Sequence, residues 1–125
     1  MAIKRFNIRV YMLLLDENRS NVLVSDEILF GDYFTKFPGG GLEYGEGIID
    51  CLHREAQEEL GQDIEIVRQL YTTESFQPSL FKPDDQIICV YYLCRLPVNR
   101  EGLRSPVFQV SDQKYDFVDR REREQ

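Results

Sequence analysis

Apolar and polar positions divide the chain into a run of short strands broken by one helical stretch. Phe6 to Leu15 reads FNIRVYMLLL; the polar stretch Asp16 to Asn21 interrupts it before Val22-Leu23-Val24 resumes. That pattern predicts a β-hairpin. A polar loop through Gly31-Asp32 leads to a short strand over Phe34 to Phe37, which Pro38 stops, since proline cannot donate to a ladder and restricts the residue before it. From Gly47 to Leu60 the period changes. Taking about 100° per residue, Ile48, Ile49, Leu52, Ala56 and Leu60 fall within an arc of roughly 120°, the apolar face of a helix. Gly61 is placed to close that helix in the left-handed conformation.

Ile64 to Phe76 and Gln86 to Leu96 predict two more strands, the second (QIICVYYLCRL) apolar enough to be buried on both faces. Pro97 to Arg104 reads as a loop, Val107 to Val110 as a further strand, and Asp119 to Gln125 as a terminal charge run. Three strands, a helix and two strands give an α/β fold in which a helix packs on a mixed sheet.

Size and charge narrow what such a fold does. At 125 residues and 42% hydrophobic content the chain supports one domain, residues 1–125, with its own core. A formal charge of −7 argues against a surface that wraps a nucleic acid polymer, which needs clustered Lys and Arg. An acidic substrate would need cations to bind here, a first pointer to a metal. Cys51, Cys89 and Cys94 form no CxxC pair and no even set, which suits a reducing, cytoplasmic location. No apolar run approaches the roughly 20 residues a membrane helix needs.

The chemistry concentrates in residues 37–63, FPGGGLEYGEGIIDCLHREAQEELGQD. On the helical wheel Glu55, Glu58 and Glu59 fall within about 100° of one another, beside the apolar arc. Like charges so spaced destabilise a helix, so a compensating partner is expected; Arg54 projects to the flank and is not expected to neutralise all three. Taken alone, the three glutamates read more simply as a solvated acidic face. As a metal site, carboxylate oxygens without thiolate or imidazole partners suit Mg²⁺ or Mn²⁺. Gly39-Gly40-Gly41 just ahead allows main chain to approach a ligand closely.

Gly40, Glu46 and Arg54-Glu55-Ala56-Gln57-Glu58-Glu59-Leu60-Gly61 together resemble the Nudix box, G-x5-E-x7-R-E-U-x-E-E-x-G-U, with U a bulky aliphatic. Every charged and glycine position matches. Ala56 is small for its U position and Gln62 is polar at the last one, where Ile64, two residues on, is placed to serve instead.

The resemblance implies the Nudix fold, an α/β/α sandwich around a mixed sheet. It implies hydrolysis of a nucleoside diphosphate linked to another group X, such as ADP-ribose, a nucleotide sugar or a nucleoside triphosphate. By position, Glu58 and Glu59 become the principal metal ligands, Glu55 a ligand or general base, and the Gly39 carbonyl a further ligand. Glu46 and Arg54 become a structural charged pair. A base from beyond the box would come from Glu101, Glu122 or Glu124. A non-catalytic module of the same fold, sensing a nucleotide or binding a protein, is the alternative; such modules usually lose box glutamates, and these are present.

Phe76, Phe81, Tyr44, Tyr71 and Tyr91 are candidates to stack a base, although aromatic residues on strands more often fill cores. Pro78 lies at a distance from the box resembling that in ADP-ribose pyrophosphatases. His53 reads as solvent-facing on the helix flank. Many Nudix domains continue with a strand and a closing helix, so the chain is expected either to be truncated at its C-terminus or to be closed by a partner subunit in a homodimer.

Overall fold

The structure is a computed structural model; it describes residues 2–16, 21–29, 31–97 and, for the backbone alone, 115–119. Chain order is β1 (Arg5–Leu15), β2 (Asn21–Leu29), β3 (Asp32–Lys36), β4 (Gly39–Gly41), α1 (Ile48–Leu60), β5 (Glu65–Thr72), β6 (Asp85–Arg95) and β7 (Tyr115–Asp119). The sheet runs β3-β2-β1-β6-β5, with β4 added on β1 and β7 on β2. β1 and β6 pair in parallel from Arg5↔Asp85 to Leu15↔Arg95, and the other pairings are antiparallel, so the sheet is mixed, as expected.

Alternation along β1 decides what each face of the sheet carries. Val10, Met12 and Leu14 are wholly buried against Cys51, Leu52, Ala56 and Leu60 of α1, with Leu23, Ile64, Cys94 and Leu96 completing the core. The small Ala56 is part of that core, and Ile64 is buried in the position suggested for it. Arg9 and Tyr11 lie on the opposite face. Among the described residues α1 is the sole helix, so a second helical layer lies outside what they show.

Several expected elements take a different form. Gly39–Gly41, legible in the sequence only as permissive backbone, is a strand paired to β1 through Arg9↔Gly41, Val10↔Gly40 and Tyr11↔Gly39. β2 extends to Leu29, well past Val24, because β3 supplies a partner along its second half. β5 ends at Thr72, short of Phe76: Thr73 bonds back to Cys89 through both its N–H and its hydroxyl, and Gln77 to Ser79 then run beside the start of β6. β6 has buried residues on both faces, Val90 and Cys94 on one and Asp85 and Leu93 on the other, while Ile87, Cys89 and Tyr91 between them are only half-buried. In α1, Ile49 is 44% exposed while Cys51 is fully buried, so the buried arc is centred nearer Glu55 than the hydrophobic pattern indicates. β7 carries no clear apolar pattern, and Val107 to Val110 lie outside the described residues.

Candidate active site

Gly47 N–H donates to the Asp50 carboxylate to open α1, and Gly61 closes it at φ 68°, ψ 18°, its N–H on the Gln57 carbonyl. These ends fix the rotation of the helix, and with it the direction of the glutamates. Glu55 falls inside the buried arc. Its carboxylate lies directly over Gly40: a Cβ there would come within 2.8 Å of the Glu55 carboxyl carbon. Burial pushes the Glu55 carboxyl up from its ordinary pKa, while Arg54 pulls it down.

Arg54 does more than the flank position suggests. Its Nε and Nη2 take both oxygens of Glu46, at 2.9 and 2.7 Å, and Nη2 also donates to the Gly41 carbonyl at 3.0 Å and to Cys51 Sγ at 3.5 Å. Nη1 bridges Glu55 Oε1 at 2.9 Å and Glu58 Oε2 at 3.2 Å. One guanidinium therefore offsets two of the three clustered glutamates, because its planar fork has five donors to distribute. Glu59 is served separately, by Gly39 N–H at 2.8 Å and Lys36 Nζ at 3.7 Å. Helix and glycine strand are thus tied at Gly41 through Arg54 and at Gly39 through Glu59.

Glu46 precedes α1, so the bidentate pair rather than the helix dipole holds it; the side-chain bonds from Arg54 hold its carboxyl down at about 2. A depressed carboxylate stabilises the fold above its unfolded value, near 4.5, and that contribution disappears as pH falls through about 2. A Glu46→Gln variant is accordingly expected to lose much of the wild type's drop in denaturation midpoint between pH 4.5 and pH 2. Urea titrations of both proteins across that range test this; parallel curves would remove the pair from the account.

The donor set suits a hard divalent ion: carboxylate oxygens and backbone without side chains facing Glu55, the one imidazole of the box, His53, being paired with Asp63. As they stand, the carboxylates are turned onto Arg54 and Lys36, and among the described residues no three acidic, His or Cys side chains are gathered as a ready-made cage. Metal entry would then be an exchange of cations. His53 is not purely solvent-facing; its Nδ1 meets the Asp63 carboxylate, which also accepts from Ile64 N–H and so fastens the end of α1 to the approach of β5. Glu101, Glu122 and Glu124 lie outside the described residues.

Of the aromatic candidates, Tyr44 is fully exposed and Phe76 is 57% exposed. Tyr91 and Phe81 line a cavity of about 300 Å³ with Thr73, Gln77, Ile87 and Cys89, on the sheet face away from α1; Pro78 lines it too. Hydrophobic periodicity misses this cavity, whose walls come from β6 and from a loop with no period.

The NUDIX domain family model matches residues 5–118, and the chain belongs to that family. A NUDIX hydrolase from Nitrosomonas europaea superposes with a TM-score of 0.67 at 17% identity, covering 94% of this chain and 75% of that one. The E. coli ORF135 protein gives 0.64 at 16%, covering 94% and 76%. A UDP-X diphosphatase gives 0.65 at 18%, covering 95% of this chain and 53% of that chain. At these identities the likeness establishes the fold. No curated protein sequence matches the chain significantly. Among the described residues no helix is long and apolar enough to cross a membrane.

Proposed function

We propose that this chain is a hydrolase that cleaves the pyrophosphate bond of a nucleoside diphosphate linked to X, with Mg²⁺ or Mn²⁺ bound. Nudix hydrolases act on small nucleotide-type substrates and generally use a divalent metal; the name of one structural neighbour, UDP-X diphosphatase, denotes such a substrate. The observation that carries the reading is the buried Glu55 carboxylate lying on Gly40, with Glu58 sharing its Arg54 contact and Glu59 fixed to Gly39.

Glu55, Glu58 and Glu59 would hold the ion, joined by the Gly39 carbonyl. Bound there, it supplies neutralisation of phosphate oxygens and a more acidic water. Glu55, if not taken up as a ligand, would accept a proton, its basicity raised by burial; Glu101, Glu122 or Glu124 would otherwise serve. Arg54 orients the carboxylates of Glu55 and Glu58 while Glu46 holds Arg54 in place. The three free thiols suit a cytoplasmic setting.

The test is incubation with Mg²⁺ and a panel of ADP-ribose, nucleotide sugars, dinucleoside polyphosphates and nucleoside triphosphates, beside a Glu58→Gln control. Turnover lost in the control names the substrate. Binding without cleavage throughout the panel would bring the non-catalytic module forward. Chelation is expected to abolish turnover while moving the melting temperature little, since the carboxylates already have Arg54 and Lys36 as partners without metal. A large fall in melting temperature on chelation would point to a structural ion instead.

A further inference from the structure

The ion pair between Lys36 and Glu59 differs in kind from the contacts that Arg54 makes to Glu55 and Glu58. Arg54 Nη1 meets those two carboxylates within hydrogen-bond distance, and its other donors stay on Glu46 and the Gly41 carbonyl whichever way the two turn. Lys36 Nζ stands 3.7 Å from Glu59 Oε1, too far for a hydrogen bond. The other oxygen, Oε2, accepts from Gly39 N–H at 2.8 Å. Glu59 is thus fixed to backbone at Oε2, while its contact with Lys36 at Oε1 is a loose one.

Such an ammonium is suited to exchange. Lysine carries a point charge on a flexible stem, with no planar fork to hold its direction. Both partners are largely withdrawn from water, 29% of the Lys36 side chain and 15% of the Glu59 side chain being exposed, so solvent screens their attraction incompletely. Repulsion is screened no better: a divalent ion drawn to Glu59 Oε1 meets a positive charge already standing there.

Beside Lys36 lies a hydroxyl without a partner. β3 pairs with β2 through Ser25↔Lys36, and directly opposed residues of two strands project to the same face of the sheet. Leu23, on the same face of β2 as Ser25, packs in the core under α1, so this is the helix side. The Ser25 side chain is wholly buried there, and its Oγ has no hydrogen-bond partner among the described residues. Buried polar groups in folded proteins are nearly always satisfied, so this hydroxyl calls for a partner in another state of the molecule. A serine oxygen accepts from an ammonium, and Lys36 is the neighbouring cation.

We propose that Lys36 is a built-in competitor of the divalent ion: its ammonium neutralises Glu59 in the metal-free protein and moves to the Ser25 hydroxyl when the ion takes the carboxylate. The inference rests on the hydrolase reading for the identity of the ion site. Lys36 then keeps the ion loosely enough held to exchange, and Ser25 offsets part of the cost of displacing the ammonium. Both are positioning residues that act through Glu59.

The experiment titrates the full chain with Mn²⁺ alone, counting unbound ion by electron paramagnetic resonance, for wild type, Lys36→Met, Ser25→Ala and the double variant. Lys36→Met is expected to lower the Mn²⁺ dissociation constant about tenfold, within the range usual for coupled sites. Ser25→Ala raises it about threefold, as one lost hydrogen bond does. In the double variant Ser25→Ala adds nothing to Lys36→Met, because Ser25 acts only through the ammonium. In chelator Ser25→Ala melts no lower than wild type, its hydroxyl having no partner there to lose. Affinity unchanged or weakened in Lys36→Met overturns the proposal. So does a Ser25→Ala effect that is absent in the wild-type background or persists in the double variant, or a clear fall of its melting temperature in chelator. Mn²⁺ uptake that Glu59→Gln leaves intact places the ion elsewhere and overturns it too. Should Lys36→Met not fold, Lys36→Gln takes its place under the same criteria. Turnover of the Mg²⁺ panel, assayed separately, judges the enzyme reading: Lys36-dependent Mn²⁺ binding without turnover keeps this inference and removes the hydrolase.

Discussion

Gly40→Ala is expected to cost about a hundredfold or more in kcat while leaving the protein folded. The added methyl meets no backbone within its tightest contacts; it meets Glu55, within 2.8 Å of Cδ and 3.0 Å of Oε2. A carboxylate at the end of a flexible side chain can swing aside, so the fold survives. The glutamate cannot swing aside and stay where it lies over the strand. Displacement of a reacting group by about 1 Å is enough for losses of about 10². Steady-state kinetics together with a far-ultraviolet spectrum and a thermal melt check both halves. A folded Gly40→Ala enzyme with normal kcat would show that Glu55 works from another position, or does not work at all.

Gly39→Ala, one residue earlier, should fail in the opposite way. Gly39 has φ +147°, a conformation that side chains rarely adopt, and a Cβ would come within 2.8 Å of Tyr11 Cα and closer still to the Val10 carbonyl oxygen. Those obstacles are backbone atoms of the central strand and cannot rotate away. Strain and overpacking together put the loss at about 4 kcal/mol, a large share of the ~5–15 kcal/mol that holds a typical domain together. Urea denaturation of the purified variant, or its absence from the soluble fraction, measures this. A stability within about 1 kcal/mol of wild type would mean that β4 does not press on β1 as described.

These contrasting roles were beyond the reach of the sequence. Three adjacent glycines announce permissive backbone, but nothing local distinguishes a turn from a strand lacking side chains; the pairing that makes β4 a strand comes from Arg9 to Tyr11, some 30 positions away. The helix was far more legible, because its period, its Gly61 stop and the box spacing are all local. Even so, Glu55 falls within the buried arc instead of beside it, since Cys51 and not Ile49 carries the burial at the other side. Arg54 shows a similar limit: a wheel gives the direction of Cα–Cβ, while a long stem lets the guanidinium fold back onto Glu46, Glu55 and Glu58. The cavity of Phe81 and Tyr91 depends on Thr73 holding Cys89 and on Gln77 turning beside β6, contacts between residues about ten or more apart. A linear pattern carries no trace of them.

Cys51 has a consequence for which ions the protein admits. Its sulfur lies beneath the glycine strand, 3.7 Å from the Gly41 carbonyl and beside Arg54, close enough to the glutamates for a thiolate there to recruit soft metals. Burial pushes its pKa up to about 12, and does the same to Cys94. At neutral pH both remain protonated, poor nucleophiles and poor ligands alike. A thiophilic ion such as copper has to displace a strongly held proton at either position, and peroxide meets little thiolate there. At rest the neighbourhood of the carboxylates therefore offers charged oxygen and a neutral sulfur, even though a cysteine forms part of its wall.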